Sequence, residues 1–153
     1  MNIRERYEEI AKNYLHFNGY SGQKLGEILS GFDFNKPAYE QKIDAGNILY
    51  QFVRRSSHYN AMPKIGNWFC LSGAELSGLA IISGGEGRIV AKILVEIPFA
   101  GLEGVASAQS VNWGWSGGGT GGATQIFVPD KYIISNIRVL GYSDYLSSGI
   151  ATI

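Results

Sequence analysis

Residues 112–130 read NWGWSGGGTGGATQIFVPD: a glycine-rich run carrying Trp113 and Trp115 that passes without a break into a strand-like 124–128 and stops at Pro129. Glycine has no Cβ and holds neither helix nor strand well, whereas Ile126, Phe127 and Val128 suit a half-buried pleated surface. A flexible stretch therefore abuts a rigid one, and the first strong polar group after it is the uncharged Gln125. The Gly/Ala/Ser-rich segment 99–123 as a whole is expected to be a loop, and a loop of that length inside a compact domain is usually functional.

Working outward, 48–53 (ILYQFV), 67–71 (NWFCL), 88–97 (RIVAKILVEI, ended by Pro98) and 132–140 (YIISNIRVL) share the β-branched and aromatic character of 124–128 and are predicted strands. Residues 73–83 are predicted to form a short helix. The first 46 residues read as helical: Ile3, Tyr7, Ile10, Ala11, Tyr14 and Leu15 recur at helical spacing. Leu25, Ile28 and Leu29 suggest a second helix between Gly22 and Gly31, and Pro37 opens a third, PAYEQKIDAG, that stops at Gly46. The tail from 141 onward is ambiguous between a last strand and a loose end. The expected fold class is α+β: N-terminal helices over 1–46, then a mostly antiparallel sheet over 47–153, the two forming one compact unit.

A chain of 153 residues with 45% hydrophobic content can bury a full core. The 13 basic and 13 acidic residues cancel, so no global field recruits nucleic acid or an anionic membrane. A single cysteine, Cys70 in the apolar NWFCL, excludes an internal disulfide and a multi-cysteine metal site and reads as a buried structural thiol. His16 and His58 show no metal-ligand spacing. The charged opening MNIRERYEEI predicts no secretion signal, and no apolar run is long enough to cross a bilayer.

The common phosphate-binding loops are missing: there is no Gly-Lys-Ser/Thr and no strand–turn–helix glycine fingerprint. GWSGG has the spacing of a nucleophile elbow around Ser116, but the glycines that follow cannot carry the helix such an elbow requires. Glu86, Glu96 and Glu103 are scattered rather than paired.

What the chain offers is an order: an arginine after a strand (LYQFVRRSS), an aromatic strand followed by a serine (GNWFCLSG), and a glycine loop feeding Gln125 (WGWSGGGTGGATQIFVP). This order resembles the ADP-ribosyltransferase-like fold. It is more closely similar to C-terminal domains of bacterial polymorphic toxins, in particular the tuberculosis-necrotizing-toxin group of NAD glycohydrolases and polymorphic toxin type 46. The resemblance covers residues 47–140; the family's glycine run is tighter, GGGTQ in spirit, against GGGTGGATQ here.

The resemblance implies NAD(P)+ as substrate, no metal, and a role for each element. Arg54, with Arg55 beside it, clamps the diphosphate, for which a planar guanidinium suits better than an ammonium; the alternative is that one or both are surface charges. Trp68 or Phe69, with Tyr50 and Trp115 in support, contacts the nicotinamide or adenine. The alternative for each aromatic is core packing. Ser72 hydrogen-bonds the ribose or caps the following helix. Gln125 grips a ribose hydroxyl while the sugar develops oxocarbenium character. Arginine-modifying transferases carry an acid two residues before this position; Ala123 stands there here, which favours water as acceptor.

The expected activity is an antibacterial NAD(P)+ glycohydrolase, delivered as part of a larger effector, acting in the target cytoplasm and opposed by a cognate immunity protein. The alternatives are an ADP-ribosyltransferase acting on protein or RNA and a non-catalytic binding module.

Overall fold

The computed structural model describes residues 1–54, 65–70, 88–107 and 124–144. Helix α1 (Ile3–Phe17) starts at a reciprocal cap: the Asn2 side-chain oxygen accepts from the Glu5 N–H at 2.8 Å, and its amide donates to the Glu5 carboxylate at 3.0 Å. Its end is turned by Gly19, whose φ of 90° lies in the left-handed region. Helix α2 (Gly22–Leu29) follows after Ser21. The buried faces of the two helices, Ala11, Tyr14, Leu15 and Ile28, join Phe32, Phe34 and Ala38 in a cluster laid on Leu102 and Phe127 of the sheet beneath.

That sheet is four-stranded, in the order β1 (Tyr39–Ile43), β5 (Phe99–Val105), β6 (Thr124–Phe127), β3 (Trp68–Phe69). A second sheet is three-stranded, in the order β2 (Ile48–Arg54), β4 (Arg88–Val95), β7 (Ile137–Asp144). Every named pair is antiparallel. The sheets meet through an isolated bridge in which Tyr50 and Cys70 exchange backbone hydrogen bonds at 2.9 and 2.8 Å. Ile43, Leu49, Phe69, Ile93, Val95 and Ile126 are among the residues of the second core, packed from strands of both sheets. The architecture is α+β with N-terminal helices followed by strands, as expected.

Three local expectations give way. PAYEQKIDAG forms β1 rather than a helix: its Tyr39–Ile43 register runs against Glu103–Phe99, so a partner some sixty positions away supplies the hydrogen bonds that local propensity assigned to a helix. Residues 99–105 are a strand, not the start of a loop; their glycines stand where Ile126 and Phe32 approach the backbone. Segment 132–140 divides into α3 (Asp130–Ser135) and β7, with Asn136 at the join donating to the carbonyls of Ile97 and Pro98. The helix predicted over 73–83 lies outside the described residues.

Tyr14 ties α1 to the sheet by donating to the Ala100 carbonyl at 2.6 Å. Burial, with smaller repulsion from Tyr132, Glu40 and Tyr20, holds its hydroxyl well above the ordinary value of 10.0. The folded state thus prefers neutral Tyr14, a stabilisation complete below the unfolded value and lost as pH rises beyond it. Tyr14→Phe is expected to cost about 1 kcal/mol at neutral pH. In thermal melts it should lose less stability than wild type above about pH 10; equal loss would remove Tyr14 from the account.

Candidate functional site

Strands β2, β3 and β6, which carry the predicted arginine, aromatics and glutamine, lie side by side. The Tyr50–Cys70 bridge joins β2 to β3, and β3 pairs with β6 through Trp68–Phe127 and Phe69–Ile126. One residue beyond the Phe69–Ile126 pair stand Cys70 and Gln125.

Gln125 is 3% exposed, with its Cα opposite Gly104 of β5. A polar side chain buried this deeply must be hydrogen-bonded. Its Nε2 donates to the Gly31 carbonyl at 2.7 Å. The same carbonyl accepts from the Ser107 N–H at 3.0 Å, and Ser107 Oγ donates to the Ser30 carbonyl at 2.7 Å. The Asp33 N–H donates to the Val105 carbonyl, and Phe32 bridges Ala106. Residues 30–33 are therefore laid along 105–107, which fixes the peptide that Gln125 engages.

Trp68 reaches the same peptide from β3. A Cβ added to Gly31 would sit 2.8 Å from the edge of its ring, so only glycine admits the indole here. The ring also packs against Phe32 and Phe127, at centroid distances of 5.2 and 5.1 Å. Gln125 and Trp68 thus converge on Gly31, and the contacts of Trp68 are those of core packing. Phe69 is 2% exposed within the inter-sheet core, so packing occupies its ring too. Tyr50 is half-buried beside the bridge. Cys70 is buried, its thiol pushed up to about 12 by desolvation, which suits the expected structural thiol and leaves it unreactive near neutrality.

Arg54 closes β2 with its Cα opposite Arg88. The side chain of Arg54, and Arg55, Ser72, Trp113, Trp115 and Ser116 entirely, lie outside the described residues. No group of three or more His, Cys, Asp or Glu side chains among the described residues is placed to hold a metal. A cavity of about 380 Å³ opens beside α1, lined by Arg4, Glu8, Leu29, Ser30, Phe32 and Phe34 among others; of the predicted site residues that are described, none lines it.

Sequence reasoning missed two groups that place the aromatic strand. Gln51, 5% exposed on β2, donates to the carbonyls of Gly66 and Trp68, both at 2.9 Å, and accepts from the Gly66 N–H at 2.7 Å. Its signal was visible: an amide two residues from Leu49, on the same face of a predicted strand, must be committed to partners once buried. Asn67 donates to the Val128 carbonyl at 2.9 Å and the Asp130 carboxylate at 2.6 Å, closing the far end of the β3–β6 pair. Gly31 signalled only a helix end, because the neighbours that give it its second role come from strands far along the chain.

No family model and no curated protein matches the chain. Solved structures share its fold, two of them as follows. Tse6, in complex with Tsi6, aligns with a TM-score of 0.70 at 18% identity, covering 92% of this chain and 98% of that one. Rhs1-CT, in complex with its cognate immunity protein RhsI1, aligns with a TM-score of 0.51 at 16% identity, covering 86% and 92%.

Proposed function

We propose that this chain is an interbacterial toxin domain that hydrolyses NAD(P)+ to nicotinamide and ADP-ribose or its phosphate, and that a cognate immunity protein binds and silences it. The observation that carries the toxin reading is the fold shared over nearly the whole chain with Tse6, whose structure includes Tsi6, and more loosely with Rhs1-CT and its immunity protein. The enzymatic reading is supported by the arginine, aromatic and glutamine positions falling on three neighbouring strands, in the order that resembles an ADP-ribosyltransferase-like site.

In that reading Arg54 or Arg55 takes the diphosphate, and Gln125 takes a ribose hydroxyl. The C1′–N bond breaks, its electron pair neutralises the departing pyridinium, and water adds at C1′ and releases a proton to solvent. An amide steadies the cationic sugar by orientation and hydrogen bonding alone, which is enough for a small acceptor such as water.

Purified protein incubated with NAD+ is expected to release nicotinamide, with Arg54→Ala and Gln125→Ala each lowering kcat/KM roughly a hundredfold. No release by wild type at micromolar enzyme would end the hydrolase reading. Label from NAD+ appearing on a macromolecule would instead establish transfer, and unchanged toxicity of both variants would establish a non-catalytic module.

A further inference from the structure

We propose that the Gly31 peptide is a positioning element for Gln125, fixing its amide with the nitrogen toward Gly31 and the oxygen, Oε1, turned away from it as the acceptor for a ligand hydroxyl. The inference rests on the hydrolase reading for the ligand's identity, but its geometry is independent of that reading. Gln125 is 97% buried and spends an Nε2 hydrogen on the Gly31 carbonyl at 2.7 Å. A flipped amide would set two oxygens against each other at that distance, so the orientation is chemically determined. The carbonyl cannot rotate away. It also accepts from the Ser107 N–H, its neighbour Ser30 accepts from Ser107 Oγ, and the Trp68 ring lies where a Gly31 side chain would be.

Two consequences follow. First, the atom turned away from Gly31 is an acceptor, so a group that meets Oε1 must be a hydrogen-bond donor such as a hydroxyl. Second, position 125 requires an inward donor, which a carboxylate cannot supply. This is the physical reason for an amide there: an ionised acid would point an oxygen at the Gly31 carbonyl while buried. A protonated acid, by contrast, reproduces the pattern of the amide, with O–H inward and C=O outward.

The test compares Gln125→Glu with Gln125→Met across pH, reading thermal stability and steady-state nicotinamide release from NAD+ on protein shown to be folded. The expected result is rescue by acid in the carboxyl variant. Its kcat relative to wild type should rise roughly tenfold between about pH 8 and about pH 5, with KM little changed. Its melting temperature should rise over the same interval. Gln125→Met should stay inactive and show no such pH response in either measurement.

A Gln125→Glu enzyme that is most active as the carboxylate, or as stable relative to wild type at high pH as at low, overturns the proposal. If wild type releases no nicotinamide, the hydrolase reading fails and the stability arm alone decides. An acid-stabilised Gln125→Glu then upholds the inward donor, and a pH-independent one removes it. Should Gln125→Glu be unfolded at neutral pH, refolding on acidification supports the proposal and failure to refold overturns it.

Discussion

Gln51→Leu is expected to destabilise the protein by roughly 3 kcal/mol, the loss being carried by β3. The substitution preserves bulk but leaves three backbone groups without a partner: the carbonyls of Gly66 and Trp68 and the N–H of Gly66. Gly66 is exposed and water can reach it, whereas Trp68 leads into the buried pair Phe69–Cys70, so the second carbonyl accounts for most of the cost. A loss of that size is a large share of the ~5–15 kcal/mol that stabilises a typical domain. Because β3 is only two residues long and holds the sheets together through the Tyr50–Cys70 bridge, the change should also loosen the placement of Trp68 over Gly31. Denaturant unfolding of the variant measures the first effect, and faster exchange of the Cys70 amide proton measures the second. A variant within about 0.5 kcal/mol of wild type would show that the Gln51 clamp is dispensable.

Gly104→Val is expected to cost about 3 kcal/mol through overpacking. Even a Cβ at this position would lie 2.6 and 2.8 Å from two ring carbons of Phe32 and 3.5 Å from the Ala38 Cβ. Phe32 is 5% exposed and held between Phe34 and Trp68, so its ring can yield only toward the cavity it lines, giving up packing on both. Since Gly104 stands opposite Gln125 and Phe32 adjoins Gly31, displacement of the ring should also disturb the Gln125–Gly31 hydrogen bond. The assignment is checked by a double-mutant cycle with Phe32→Leu. Coupling of at least about 1 kcal/mol in the compensating direction is expected, and strict additivity would place the clash elsewhere.

Both predictions turn on residues whose meaning is tertiary, and the same division runs through the fold. Helices α1 and α2 were legible because their apolar residues recur at helical spacing and Gly22 and Gly31 bound the second of them. Strands β2, β4 and β6 were legible because β-branched and aromatic residues cluster between turn signals. The candidate site was legible as an order of residue types along the chain, which suffices to bring β2, β3 and β6 to notice. That order does not say which side chains face a ligand: Trp68 and Phe69 look alike in sequence, yet one lies on Gly31 beneath the helices and the other is sealed between the sheets.

By itself, then, the sequence determined what neighbours along the chain can settle: an α+β content, helices before strands, one unpaired buried cysteine, and an uncharged amide at the start of β6. Tertiary structure alone decided that Tyr39–Ile43 would be a strand, that 99–105 would be a ladder rather than a loop, and that Gly31, Gly101 and Gly104 would be obligatory points of contact. The reason is range. Helical spacing and capping are satisfied within a few residues, whereas an edge strand with a single buried residue, or a glycine under an indole, takes its free energy from partners that arrive only after the chain has closed on itself.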